Sequence, residues 1–225
     1  MILIDSRIRD IEYKYLTEEL NQKVEKLPLS NDVYEEISGH SDIFYAKIND
    51  EIYVAPNSKI IKPDFILGNE KVEKEYPKDV KYNICQIGNN IIGSKYADYS
   101  LINKINIFVK QGYTKCSISV TSSNSCITSD KGILKELQKH NINVLYMQEN
   151  NIHLLDKNGN ISKMNGFIGG ASAVINDTFI LFGDINKFNE ENQNKIREHL
   201  KKYNLKLKYF NNLDVVDYGG IIMYK

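Results

Sequence analysis

The sequence predicts an α/β fold, a ring of five repeated ββαβ modules closed by pairing of the two termini, in a single domain over residues 1–225. Three observations lead to this prediction. Hairpins of one design recur along the chain, two long segments repeat the same order of elements, and both termini have the pattern of strands. Closure into a ring removes the exposed sheet edge that an open array of modules would leave. A single open α/β sheet is the alternative.

Four hairpins are predicted from pairs of short apolar strands around polar turns. "DIFYAKI" and "EIYVAP" flank residues 49–50, and "NICQIG" and "NIIGS" flank a turn near residues 88–89. "CSISVT" and "SCITS" flank residues 122–124, and "SAVI" and "TFILFG" flank residues 176–177. Each hairpin can supply the first two strands of one module.

The segments 116–147 and 172–210 show the internal repeat most clearly. Each is predicted to contain a strand, a turn, a strand, an aspartate, a helix and a final strand, with Asp130 and Asp184 as the helix caps. "LQKHNINVLYM" in the first corresponds to "LKKYNLKLKYF" in the second. The fifth module combines "DYGGIIMYK" at the C-terminus with "MILIDS" at the N-terminus.

Apolar spacing and end signals predict four helices. They cover residues 15–27, 99–112, 130–141 and 189–204. His140 and His199 fall on stretches of the last two that are expected to be exposed.

The composition and the absence of certain motifs disfavour several classes of function. The 29 basic and 29 acidic residues balance, so no basic field favours nucleic acid. No apolar run is long enough for a membrane span and no signal peptide is visible, which favours a cytoplasmic location. No phosphate loop, dinucleotide fingerprint or metal cluster is present, so no cofactor and no metal are predicted. The three cysteines form no C-x-x-C pair, and free thiols are the simplest interpretation.

Three short motifs resemble those of the guanidine-modifying enzymes, or penteins. "HSDIFYAKI" (40–48) resembles the H-x-D/E strand of agmatine deiminases, in which the histidine and the acid face a central channel. "GFIGGASAVI" (166–175) and "DYGGIIM" (217–223) resemble the Gly-Gly steps that lead strands into that channel. The pattern along the chain also resembles an uncharacterised clostridial family assigned to this fold. The resemblance covers nearly the whole chain and implies a ring of five modules.

The resemblance also implies a site in which a cysteine attacks the carbon of a guanidine or amidine, a histidine moves protons and acids hold the planar cation. His40 and Asp42 match the H-x-D strand, where positions i and i+2 share a face. The family places its cysteine after Gly-Gly near the C-terminus, but "YGGIIMYK" has none. Cys116 is therefore the best candidate nucleophile, and a packed thiol is its alternative. Cys85 also lies on a first strand, whereas Cys126 is expected in the core.

Five further residues are candidates for binding the substrate, although each also has an ordinary structural explanation. Asp217 precedes the closing module and could instead be a solvated turn residue; Asn89 lies in a predicted turn. Lys115 could lower the pKa of the neighbouring thiol, although adjacent strand residues face opposite ways. Gly170 and Ser172 lie at the Gly-Gly step, where glycine permits close backbone approach.

Two functions remain open. One is a hydrolase or transferase that modifies a guanidine or amidine compound with His40, Asp42 and Cys116. The other is a catalytically inactive member of this fold that binds a small molecule or a macromolecular partner. The missing C-terminal cysteine favours the second, and the H-x-D pattern favours the first. The oligomeric state is not predicted.

Overall fold

The protein is a mixed α/β structure of many small sheets, seen in a computed structural model that describes residues 1–225. It contains eighteen short strands: β1 (Ile2–Asp5), β2 (Val24–Leu27), β3 (Tyr45–Ile48), β4 (Glu51–Val54), β5 (Ile66–Leu67), β6 (Cys85–Ile87), β7 (Asn90–Gly93), β8 (Ile107–Phe108), β9 (Ile118–Ser122), β10 (Ser125–Thr128), β11 (Asn143–Tyr146), β12 (Ile152–Leu155), β13 (Ile161–Asn165), β14 (Ser172–Ile175), β15 (Thr178–Leu181), β16 (Lys206–Lys208), β17 (Val215–Val216) and β18 (Ile222–Met223).

The α-helices are fewer and mostly short. They are α1 (Asp10–Lys14), α2 (Ser41–Phe44), α3 (Tyr99–Ile102), α4 (Thr114–Ser117), α5 (Lys131–Lys139) and α6 (Glu190–Lys202). A π-helical turn (Tyr15–Glu19) follows α1, and 3₁₀ turns cover Glu35–Ile37, Lys78–Val80 and Ile185–Lys187. No helix combines the length and the apolar character needed to cross a membrane.

The strands form six three-stranded sheets. In every sheet the central strand pairs antiparallel with one neighbour and parallel with the other. In five sheets the antiparallel neighbour comes directly before the central strand along the chain, with β18 at the C-terminus taking this place for β1: β18-β1-β2, β3-β4-β5, β6-β7-β8, β9-β10-β11 and β14-β15-β16. The sixth, β13-β12-β17, lies outside the predicted set of modules. In the terminal sheet, Ile2 of β1 faces Met223 of β18.

All four hairpins form where the sequence predicts them, and two of the four helices are confirmed. Helix α5 is capped by Asp130, whose side chain accepts from the Ile133 N–H, and α6 covers residues 190–202. Asp184 is also a cap, although it begins a 3₁₀ turn rather than α6 itself. In α6 the capping side chain is Asn189.

The other two helix predictions are wrong over much of their length. The helix expected over 15–27 ends before Asn21, which takes a positive φ of 51°, and the remaining residues form β2 beside β1. The helix expected over 99–112 is only the single turn of α3, and residues 107–108 form β8 beside β7. In both segments, apolar residues with helical spacing lie on a strand that pairs with a neighbouring strand. This tertiary pairing overrides the local preference for a helix.

His199 is also different from its prediction. It is half-buried, and its Nε2 lies 2.9 Å from the Thr121 hydroxyl and 3.1 Å from the Ser125 hydroxyl. Burial lowers the pKa of His199 to about 4. The side of α6 that carries His199 packs against the sheet of β9 and β10. The position of His199 along the helix did not by itself indicate that it would be buried.

Pairing of the two termini should contribute directly to stability. Ile222 of β18 is 4% exposed and belongs to the same apolar cluster as Leu3 of β1. We expect Ile222→Ala to lower the free energy of unfolding by about 2–5 kcal/mol, the usual cost of emptying a buried isoleucine site. Ile161→Ala is the matched control, because that strand residue is 48% exposed. Urea denaturation measures both, and equal small losses would show that the terminal strand is not packed.

Candidate active site

Two single-turn helices hold the predicted catalytic residues. His40 is the N-cap of α2, which contains Asp42, and α4 contains Cys116. Each turn leads directly into the first strand of its sheet, β3 or β9. The strand position predicted for His40 and Asp42 is therefore wrong. Pairing with β4 begins only at Tyr45, opposite Val54, so the preceding residues have no extended partner and form a helical turn.

Asn83 joins these two turns and was missed from the sequence. Its Nδ2 donates to the Asp42 carbonyl at 3.0 Å and approaches Cys116 Sγ at 3.2 Å, while its Oδ1 accepts from the Lys115 N–H at 2.6 Å. Asn83 is only 2% exposed. It lies two residues before β6, as Cys116 lies two residues before β9, and this equivalence was the signal available in the sequence.

The thiol of Cys116 and the carboxyl group of Asp42 are in direct contact. Cys116 Sγ donates to Asp42 Oδ2 at 2.9 Å, and both side chains are buried. Burial raises the pKa of Asp42 from 3.8 to about 6, although the charge of Lys115 and the contact with the thiol oppose this rise. Burial and the negative charges of Asp42 and Asp217 raise the pKa of Cys116 well above its ordinary value. The thiol therefore carries the proton of this pair at neutral pH.

His40 lies beside the pair and is also buried. Burial lowers the pKa of His40, whereas the charges of Asp217 and Asp5 act to raise it, so the ring is neutral near pH 7. Its Nδ1 lies 3.8 Å from Asp217 Oδ1, which is too long for a hydrogen bond. Neither ring nitrogen has a hydrogen-bond partner, and Asp42 Oδ1 also has none. Such buried, unpaired atoms are costly, and a ligand that bonded to them would recover that cost.

Asp217 is fixed by the backbone around it. Its Oδ2 accepts from the Phe167 N–H and its Oδ1 from the Gly219 N–H, each at 2.8 Å. Burial is the main cause that raises the pKa of Asp217. Gly219 has a φ of +70°, and a Cβ there would lie 2.4 Å from His40 Cβ. A Cβ on Gly170 would lie 1.8 Å from Asp217 Oδ1, so both glycines make space for side chains of the site.

A small cavity of about 190 Å³ opens onto this cluster. His40, Cys116 and Asp217 line it together with mostly apolar or aromatic residues, and Glu36 adds a second carboxylate. No lysine or arginine lines it. An acidic cavity with flat aromatic walls suits a small planar cation.

The other candidate binding residues lie elsewhere. Lys115 and Ser172 line a separate cavity, and Lys115 Nζ lies 3.4 Å from the Gly169 carbonyl oxygen. Asn89 is exposed in the turn between β6 and β7, where its carbonyl accepts from Asn106 Nδ2. Cys85 and Cys126 are buried in one apolar cluster. The structure thus brings together His40, Asp42, Cys116 and Asp217 but leaves Asn89 outside.

The same donors could in principle hold a metal ion. One ligand atom each from His40, Asp42 and Cys116 lies within 4.8 Å of the others. Two ligands of a tetrahedral zinc ion are about 3.5 Å apart, given metal–ligand bonds of about 2.0–2.3 Å. The Sγ–Oδ2 distance of 2.9 Å is shorter and matches a thiol hydrogen bond. Zinc would have to displace the thiol proton and widen this contact.

The raised pKa of Asp42 predicts a specific dependence of stability on pH. Between about pH 4 and pH 6 the unfolded chain has released this proton while the folded chain retains it, so the Asp42 contribution to stability falls as pH rises. The maximum slope is about 1.4 kcal/mol per pH unit. The difference in unfolding free energy between the wild type and Asp42→Asn should therefore fall over this range. Asp50→Asn, at an exposed aspartate, is the control. A difference that stays constant with pH would contradict the shift.

Comparison with known proteins gives a family but no function. In structure, the chain is similar to agmatine deiminase from C. jejuni, with a TM-score of 0.48, 12% identity, and coverage of 92% of this chain and 74% of that one. It is also similar to an amidinotransferase from Microseira wollei in a saxitoxin biosynthetic pathway, with a TM-score of 0.49, 12% identity and coverage of 96% and 81%. No curated protein matches in sequence. Residues 3–222 match a family of unknown function, DUF6873, and the chain belongs to that family.

Proposed function

We propose that this protein is a hydrolase or transferase that modifies a guanidine or amidine group, with Cys116 as its nucleophile. The observation that carries the proposal is the buried contact of 2.9 Å between Cys116 Sγ and Asp42 Oδ2, with a His40 ring nitrogen within 4.8 Å of both groups. A nucleophile, a carboxylate base and an imidazole thus meet in one place.

We further infer that the chain forms a ring of five modules. Five sheets share one strand order, and the first strands of all five (β3, β6, β9, β14 and β18) contribute residues to one cavity. The sixth sheet is an addition between β11 and β14 that also uses β17. On this proposal the single-turn helices α2 and α4 precede the first strands of two modules, β3 and β9, and hold Asp42 and Cys116 at the entry to those strands.

Binding of the cation prepares the thiol for attack. With the site empty, nearby carboxylates disfavour the thiolate of Cys116. A guanidinium in the cavity brings positive charge beside sulfur, which favours the thiolate and allows Asp42 to take the proton. Asp217 faces the same cavity and can accept hydrogen bonds from the N–H groups of the cation.

The reaction then has two steps. Sulfur bonds to the central carbon, the C–N bond to one nitrogen breaks, and that nitrogen leaves as ammonia or an amine with the proton that Asp42 took from sulfur. In the second step, water attacks the same carbon while the unpaired nitrogen of His40 accepts a proton. The C–S bond breaks, the proton on His40 returns to sulfur to regenerate the thiol, and in hydrolysis the urea or amide product releases its remaining extra proton to solvent. In a transferase, an acceptor amine replaces water. His40 suits this step because its neutral ring has a free nitrogen.

A second candidate function is binding without catalysis. Cys116 is 2% exposed, and the cavity of about 190 Å³ is smaller than the roughly 300 Å³ at which small-molecule sites usually begin. An inactive member of this fold would use Asp42, Asp217 and Glu36 to hold a cation and keep the thiol protonated.

Turnover of simple guanidines distinguishes the two functions. Incubation with arginine, agmatine and alkylguanidines should release ammonia or the corresponding amine, and Cys116→Ala should lower the rate about a thousandfold or more, as expected for loss of a nucleophile. Cys126→Ala is the matched control, because it also removes a buried thiol but lies outside the site. Saturable binding of an alkylguanidine without turnover would support the second candidate. Equal turnover by both variants would contradict Cys116 as the nucleophile.

A further inference from the structure

A second and larger cavity lies at the place where the first strands of five sheets converge. Its volume is about 450 Å³, within the usual range for small-molecule sites. Each of the five strands contributes to its wall, with Lys47 on β3, Gln86 on β6, Ser119 on β9, Ser172 on β14 and Ile222 on β18. It shares no lining residue with the small cavity at Cys116.

The charge of this cavity is entirely positive. Lys47 and Lys115 are the only charged residues that line it. Both are half-buried, and neither forms an ion pair with any carboxylate of the chain. Two ammonium groups that line one cavity repel each other, and an anion bound between them would offset that repulsion.

The polar groups that line this cavity have donor protons that no hydrogen bond within the protein uses. Lys115 Nζ has one long contact, 3.4 Å to the Gly169 carbonyl oxygen, which uses only one of its three protons. The Ser122 hydroxyl accepts from the Asn124 N–H at 3.1 Å, so its own proton is available. Ammonium and hydroxyl groups with donor protons to spare are the groups that bind oxyanions.

We propose that this cavity binds a small molecule that carries a carboxylate or phosphate group. The opposite charges of the two cavities support this assignment, since the small cavity has Glu36 and Asp217 but no lysine or arginine. The volume of about 450 Å³ favours a small molecule over a polymer. The proposal goes beyond the proposed function and does not depend on it, because binding here requires no turnover at Cys116.

Calorimetric titration with inorganic phosphate and, separately, with citrate tests the proposal. Sodium chloride is the reference anion at equal ionic strength. We expect saturable binding of at least one oxyanion, and the two titrations show whether phosphate or carboxylate is preferred. Lys47→Met should weaken that binding about tenfold or more, because it removes one charge-assisted contact, whereas Lys47→Arg should retain most of it. The matched control is Lys163→Met, at an exposed strand lysine outside the cavity.

Thermal melting without ligand checks that each variant folds. If Lys47→Met does not fold, Lys115→Met provides the same test with the second ammonium group. No saturable binding beyond the chloride reference would overturn the proposal. Equal binding by Lys47→Met and Lys163→Met would also overturn it, because the ion would then lie outside this cavity.

Discussion

The contact between the Cys116 thiol and the Asp42 carboxyl group is the interaction on which the site depends. It joins two residues 74 positions apart, on turns that lead into different sheets. Burial raises the pKa of both groups, and the negative charge of Asp42 raises the pKa of Cys116 further, so the proton between them stays on sulfur. On the proposed function, a cationic ligand would provide the change in local charge that a reaction at Cys116 requires.

The surrounding residues hold this contact in place, but some polar atoms beside it have no hydrogen-bond partner. Asn83 bonds to both turns and fixes their separation, while Gly219 and Gly170 make space for His40 and Asp217. The backbone satisfies Asp217, but the ring nitrogens of His40 and one oxygen of Asp42 have no partner. Buried, unpaired polar atoms are rare in native structures, and a ligand-binding role is one explanation for them.

Much of this arrangement could be predicted from the sequence, because it follows from local patterns. The hairpins have turn residues between apolar strands, and the repeat of 116–147 in 172–210 gave the order of elements. The residues of the H-x-D pattern, His40 and Asp42, do lie near Cys116, although on a helical turn instead of a strand. That difference depends on where the partner strand ends, which is a property of pairing between distant segments.

The remaining features depend on contacts that local sequence does not encode. Asn83 lies two residues before its first strand, as Cys116 does, but its bonds to Asp42 and Cys116 join distant segments and are seen only in the fold. The sixth sheet pairs β12 with β17, which are separated by more than fifty residues, so no repeat signal predicts it. Lys115 is adjacent to Cys116 in sequence, yet it lines the other cavity. Their divergence follows from the helical turn, which directs consecutive side chains to different sides.

The rate of Cys116 modification by a cationic electrophile is the most direct test of whether this cluster recognises a planar cation. 2-Chloroacetamidine and 2-chloroacetamide have nearly the same shape and differ in charge, and in both the thiol sulfur displaces chloride. Peptide mass spectrometry gives the rate at each cysteine, corrected for the rate of each reagent with a free thiol. The amidine should modify Cys116 at least about tenfold faster than the amide, the effect of roughly 1.4 kcal/mol of favourable charge interaction. Equal corrected rates at Cys116, or equal modification of Cys85 and Cys126 by the amidine, would contradict cation recognition at this site.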